Sequence, residues 1–451
     1  MSTATQTTQW SNWSGSVQSH PRQILKPQSV EELARLIGSF GRERRQVRVV
    51  GAGHSFTPIA QTDDILLSLD HLQGIETLDA DAGYAVVLGG TRLKRLGEEL
   101  FVHRLAQENL GDIDVQSIAG AISTGTHGTS IRFGTLATQV EGLTLVTANG
   151  ELLECSPTQH PDIFKAAQVS LGMLGVIAKV KLRVVPAKKL HYRGQRKSLS
   201  ECLEHLEEYQ QTNSHFEFFW FPYTDGVQAK FINETNAAVS KNNLWNEFNR
   251  VVLENDVYWL LSELCRLRPS LCKTVCRISA SSIATVDVVN YSHRIFSTPR
   301  VVRFQEMEYN IPREYTKAVI TEIQQCIEQQ QFNVHFPIEC RFVRADDIWL
   351  SPAYQRESAY IAVHMYRGMP YRDYFEQIEA IFRRYQGRPH WGKMHTRNAQ
   401  ELAMLYPRWH DFLRVRAELD PHGVFLNDYL RTLFAIETPT SAPTTAQGDL
   451  A

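Results

Sequence analysis

Val49-Val50-Gly51-Ala52-Gly53-His54-Ser55-Phe56 ends a β-branched, strand-like run with two glycines and then a histidine. Glycine has no side chain to block close approach and tolerates positive φ, so a strand ending in Gly-x-Gly can curl its amides around a phosphate or a ring. His54 then stands at the ligand surface. The stretch is not a Rossmann fingerprint, because Phe56 sits where G-x-G-x-x-G needs its third glycine. A tight turn with an incidental histidine is the competing reading. Outward from the turn, the pattern predicts strands over 23–26 and 47–50, with a helix between them opened by Ser29-Val30-Glu31-Glu32 as a capping box. Downstream, Ser117-Ile118-Ala119-Gly120-Ala121-Ile122-Ser123-Thr124-Gly125-Thr126-His127-Gly128-Thr129-Ser130 reads as a loop, too polar for core and too rich in glycine for helix. It makes a second cradle.

The 451 residues exceed what one core usually organises, so two domains are expected. A net charge of −2, from 47 basic and 49 acidic residues, leaves no basic footprint for nucleic acid. The seven cysteines form no C-x-x-C pair, which points to a reduced, cytoplasmic setting. The first nine residues lack the basic and apolar regions of a secretory signal, and no run is long enough to cross a bilayer. Val257-Tyr258-Trp259-Leu260-Leu261, stopped by Glu263, Arg266 and Arg268, leaves a peripheral membrane contact open beside an ordinary buried helix.

Short strands are expected at 64–69, 84–88, 142–147 and 176–185, and a helix at 91–101. Beyond Pro186, aromatic strands at 216–221 and 301–304 alternate with helices, notably 312–329 with Pro312 at its first position. That order fits an α+β arrangement around an antiparallel sheet. The boundaries expected are 17–187 and 188–436, with 390–434 packing back on the first domain and 437–451 a disordered tail.

Further motifs carry chemistry. Leu171-Gly172-Met173-Leu174-Gly175-Val176-Ile177 is a third glycine turn entering a strand. In Phe336-Pro337-Ile338-Glu339-Cys340-Arg341-Phe342, Glu339 and Arg341 project from one face of a strand. A surface ion pair of little worth is the alternative. His364 and Tyr366 share a face of a strand at 358–366 and could line the same pocket, although a satisfied core histidine reads equally well. In Arg388-Pro389-His390-Trp391-Gly392-Lys393-Met394-His395 the histidines have no metal-ligand spacing, so no metal is expected. Lys393 read alone is a solvated lysine.

Taken in order, these motifs resemble the sugar-1,4-lactone oxidase branch of the vanillyl-alcohol oxidase/para-cresol methylhydroxylase flavoproteins. The resemblance spans about residues 10–434 and includes the ending Arg416-Ala417-Glu418-Leu419-Asp420-Pro421-His422-Gly423-Val424-Phe425-Leu426-Asn427-Asp428-Tyr429-Leu430. It implies an α+β fold, with a two-subdomain FAD-binding domain and a substrate domain whose antiparallel sheet is flanked by helices. It implies FAD held by Val50, Gly51, Ala52, Gly53, His54, Ser55, Ser117, Gly120, Ser123, Thr124, Gly125, His127, Gly128, Gly175, Val176 and Ile177, with His54 the covalent link. A neutral imidazole suits attack on the flavin's 8α-methyl carbon; for His127 a loop-ordering hydrogen bond is preferred. Glu339, Arg341 and Lys393 are the implied catalytic residues, with Arg344-Ala345-Asp346-Asp347 as a further match. The substrate implied is a small sugar lactone and the acceptor O2. An alditol oxidase, a lactone dehydrogenase using cytochrome c, or a flavin-binding protein or reductase without oxidase chemistry stay open. A small residue among Ala119, Gly120 and Ala121 is considered as an oxygen barrier without a choice between them.

Overall fold

The computed structural model describes residues 9–241, 257–297 and 302–437. Residues 1–8, and the expected disordered tail from 438 onward, lie outside the described residues. Strands Gln23–Leu25 and Val47–Val50 flank Ile65–Ser68, all parallel, with helix Val30–Arg42 crossing over between the first two. Ser29 caps that helix by accepting from the Glu32 amide, while the Glu32 carboxylate reaches the Gln28 amide, one residue before the box position. A five-stranded antiparallel sheet follows, in the order Leu152–Cys155, Val140–Val146, Val176–Arg183, Tyr84–Leu88, Ile75–Asp79.

Residues 117–130 depart from the expected loop. Ile118–Ser123 is a short helix capped by the Ser117 hydroxyl, and most of the stretch is buried, including Ser123, Thr124, Thr126, His127, Thr129 and Ser130. The apolar residues at 118, 121 and 122 give one helical turn an inward face, and the hydroxyls find partners inside the fold. Pro312 is a second departure. It closes strand Phe304–Pro312 rather than opening a helix, and helix Thr316–Gln330 begins after a 3-10 turn. The strand expected at 301–304 begins only at Phe304; Val301 lies outside the described residues.

The second sheet has eight antiparallel strands, ordered Val286–Tyr291, Lys189–Ser198, Gly226–Glu234, His215–Trp220, Ile338–Val343, Ser358–Tyr366, Phe304–Pro312, Arg388–Pro389. Alternation splits it into two faces. Phe218, Ile338, Cys340, Ile361, Val363, Met307 and Ile311 pack with Ile320, Ile323, Ile378 and Phe382 of helices Thr316–Gln330 and Arg372–Arg384. The opposite face carries Glu217, Lys230, Glu339, Arg341, His364, Glu306 and Glu308, and it too is turned inward.

Residues of 391–434, among them Trp391, Tyr406, Trp409, Phe412 and Leu430, share one core with Leu96, Ile122 and Phe164 of the first region. No described helix is long and apolar enough to cross a membrane. Helix Tyr258–Leu267 leaves Trp259, Leu260, Leu264 and Leu267 exposed.

Arg48 fastens these parts. Wholly buried, it donates to the carbonyls of Ile59 at 2.7 Å, Leu171 at 2.7 Å and Gly172 at 3.3 Å, and to that of Phe425. Burial draws its pKa down to about 9, against the opposing pull of Asp420. Arg48→Met should strand these carbonyls and cost about 3 kcal/mol or more of stability, read from the urea midpoint; a loss below about 1 kcal/mol would contradict this account.

Candidate active site

Gly53 adopts φ +68°, and a Cβ at Gly51 would sit 2.2 Å from the Ser117 hydroxyl oxygen. The two cradles are therefore pressed together, and only glycine permits it. With the third glycine turn they line a cleft partly open to solvent. Of the expected cofactor residues, Val50, Gly51, Ala52, Gly53, His54, Ser55, Ser117, Gly120, Ser123, Thr124, Gly175, Val176 and Ile177 line it. Gly125, His127 and Gly128 lie beyond the lining. Ala119 and Gly120 also face the cleft, whereas Ala121 is fully buried in the core.

His54 stacks on Trp13, with ring centroids 5.2 Å apart and planes 22° from parallel. Burial, and then the Lys393 and Arg92 cations, press its pKa down to about 4, so the imidazole is neutral at neutral pH. Trp13 is itself tied to this turn, its amide donating to the Gly53 carbonyl at 2.8 Å.

The late motif reaches the same place. The Phe56 amide donates to the Gly392 carbonyl at 2.7 Å, and the Thr57 hydroxyl to the Trp391 carbonyl at 3.1 Å. Lys393 thereby enters the buried face, its ammonium paired with Glu306 and 5.1 Å from the Phe56 ring centroid. Burial disfavours that ammonium, but Glu306 and Glu308 more than offset it and raise its pKa. The converse holds for Glu306. Burial would raise its pKa, yet Lys393 and His364 bring it down to about 2.

Glu339 and Arg341 do share a face, and they are buried rather than a surface pair. Arg341 also meets Glu217 at 2.9 Å and, from the first region, Asp112 at 2.9 Å. Glu217 in turn holds Lys230 at 2.8 Å. His127 stacks on Tyr360 at 3.6 Å, and its ring nitrogens face the Gly128 carbonyl at 2.8 Å and Glu308 at 3.1 Å. His390 accepts from the Gly392 amide at 3.0 Å through Nδ1, which orders the lysine turn. His364 lies 3.4 Å from Glu306. Tyr366 points elsewhere, its hydroxyl donating to Glu263 at 2.5 Å.

Five carboxylates, Asp112, Glu217, Glu306, Glu308 and Glu339, thus surround three cations, Lys230, Arg341 and Lys393. The sequence reading does not single out Asp112, Glu217, Glu306, Glu308 or Trp13. Asp346 and Asp347 stay outside the group: Asp346 accepts from the Ser351 hydroxyl at 2.6 Å to close a turn, and Asp347 pairs with Lys165.

The FAD binding domain profile matches residues 21–156, and the D-arabinono-1,4-lactone oxidase profile matches residues 180–433. The chain belongs to the D-arabinono-1,4-lactone oxidase family. An L-gulono-1,4-lactone dehydrogenase of Mycobacterium tuberculosis is 42% identical, over 94% of this chain and 98% of its own. An L-gulonolactone oxidase of Scyliorhinus torazame is 35% identical over the same shares. Cholesterol oxidase from B. sterolicum shares the fold, with a TM-score of 0.79 at 17% identity, covering 95% of this chain and 97% of that one. As a member of this family the protein is an FAD-dependent oxidoreductase, and the glycine-lined cleft with its serine and threonine hydroxyls fits that cofactor.

Glu306→Gln should remove the charge that holds Lys393 protonated. The alkaline limb of flavin reduction against pH then moves to lower pH; an unmoved limb would separate the two groups. The sign for stability is the reverse of a lysine's. Because the Glu306 pKa is depressed, its contribution is full above about 4.5 and is lost as pH falls toward about 2, so the variant should show a shallower acid loss.

Proposed function

We propose that this protein oxidises an aldono-1,4-lactone, L-gulono-1,4-lactone or a close relative such as L-galactono- or D-arabinono-1,4-lactone, at C2, giving an ascorbate-type product. The observation that carries this reading is the meeting of the glycine-lined cleft, at His54, with a sheet face turned inward that bears Lys393, Glu306, Glu339 and Arg341. FAD, when bound, supplies the two-electron acceptor for a carbon–hydrogen bond beside a hydroxyl. The protein's part is positioning and charge. Glu339 orients hydroxyls by accepting from them, while Arg341 and Lys393 set positive charge against the oxygen as its proton leaves. Arg341→Ala and Lys393→Ala should each slow anaerobic flavin reduction by about 10²-fold with the flavin still bound. Near-normal rates in both would remove these residues from the reaction. Lactones should bleach the flavin faster than xylitol or sorbitol; the opposite order would favour an alditol oxidase.

Neutral His54 supports covalent attachment of the flavin. Acid precipitation should leave the flavin with the wild-type polypeptide and release it from His54→Ala. Wholly extractable wild-type flavin would overturn the linkage and leave noncovalent binding intact.

For the acceptor, the oxidase names of the family profile and the Scyliorhinus relative support O2 with H2O2 formed. The dehydrogenase name of the 42% identical relative favours a second reading, transfer to another acceptor. Admitting air to the reduced enzyme decides between them: rapid recovery with peroxide supports O2, and recovery only with cytochrome c supports the second. The exposed apolar residues of helix Tyr258–Leu267 support a peripheral membrane contact, which liposome flotation tests.

A further inference from the structure

Away from the cleft, Cys265, Cys272 and His335 converge in the core. Their ligand atoms, two Sγ and a ring nitrogen, lie within 4.8 Å of one another, and all three residues are fully buried. Cys265 ends a turn of helix Tyr258–Leu267, Cys272 opens helix Cys272–Ser281, and His335 lies on the segment leading into strand Ile338–Val343. Three separate pieces of chain therefore bring one soft donor set together.

The hydrogen-bond geometry suits one tautomer of the histidine. The Ser262 hydroxyl has one proton and donates it to the Tyr258 carbonyl at 2.8 Å, so at 2.9 Å from His335 Nε2 it can only accept. Nε2 then carries the proton and Nδ1 presents its lone pair, 3.9 Å from Cys272 Sγ. A ligating histidine is commonly oriented in this way, its second nitrogen donating to a neighbouring oxygen. The surroundings are aromatic, with Tyr258, Phe336 and Tyr366 packed about the His335 ring.

We propose that Cys265, Cys272 and His335 bind a thiophilic divalent cation, Zn2+ by choice. Two thiolates and a neutral imidazole around a dication sum to zero charge, which suits a buried site, and the fourth tetrahedral position falls to a water molecule. Thiolate and imidazole ligands select zinc or similarly soft ions over magnesium or calcium. Bound there, the ion ties the two helices to the entry of the strand that carries Glu339 and Arg341. Its role is to hold that strand in place, apart from the reaction itself.

The test uses the flavin-loaded full chain, expressed with zinc in the medium and passed through chelator. Metal analysis should find one zinc per chain. Cobalt exchanged into its place should give d–d absorption to the red of the flavin bands, with the intensity of a tetrahedral thiolate site. Cys265→Ser and Cys272→Ser should lose both signals, while Cys202→Ser, at a buried cysteine elsewhere, keeps them. Wild-type protein that retains no zinc and shows no cobalt band overturns the proposal, as does a Cys265–Cys272 disulfide in its peptide map. If the serine variants do not fold, the wild-type cobalt spectrum alone still decides.

Discussion

A lysine ammonium largely withdrawn from solvent keeps its proton only when a carboxylate meets it at close range, because desolvation otherwise disfavours the charge. The Lys393–Glu306 pair imposes that condition here, and much of the architecture serves it. Glu306 stands on the strand beside the short edge strand Arg388–Pro389 of the eight-stranded sheet, where alternation aims Glu306 and Glu308 away from the helices and toward the glycine loops. Lys393 comes from a turn whose carbonyls at 391 and 392 are bonded to residues 57 and 56. The same turn is held on the Glu306 strand, the His390 amide donating to the Glu308 carbonyl and the Met394 amide to the Glu306 carbonyl, both at 3.0 Å, so the pair stands where that strand and the first hundred residues meet.

The same need for closure explains which sequence signals were readable. The glycine turns are local devices, so Gly51, Gly53 and Gly175 disclose a cradle from their neighbours alone. Glu339 and Arg341 are two apart on a strand and disclose a shared face in the same way. Asp112, Glu217, Glu306 and Glu308 do not. In the run Phe304-Gln305-Glu306-Met307-Glu308-Tyr309-Asn310-Ile311 the acids alternate with apolar residues as on any half-exposed strand, and nothing local shows that the first region docks on that face and buries it. The hydroxyl-rich stretch at 117–130 misleads for a related reason. Thr129, for instance, accepts from the Phe342 amide at 3.2 Å and donates to the Phe216 carbonyl at 2.5 Å, standing in for a rung between two strands of the distant sheet. Polarity there marks an internal joint, where solvent was the natural inference.

Several of the strings that carry the family resemblance prove to be joints as well. Asp420 accepts from the amides of Val424 and Phe425 at 2.8 and 2.9 Å, which shapes the terminal turn. Asn427 then donates to the carbonyls of Pro58 and Gln61, both at 2.8 Å, fastening that turn beside the His54 loop. Arg388 spends its guanidinium on the carbonyls of Leu405, Pro352 and Tyr354. None of these groups faces the cleft lining, yet each fixes an element that does the positioning.

The balance of charge on the buried face bears on what can enter it. Five carboxylates against three cations leave an excess of acceptors, and Arg341 is already shared among Asp112, Glu217 and Glu339. A neutral ligand rich in hydroxyl donors meets such a face favourably, each hydroxyl giving a charge-assisted hydrogen bond to a carboxylate. An anion of the same size would add like charge where solvent screening is weak. On the proposed reading, the closed lactone ring, which carries no charge, is therefore the form suited to this site. Its ring-opened aldonate, which carries one, is disfavoured by the same carboxylates that hold Lys393 and Arg341 in place.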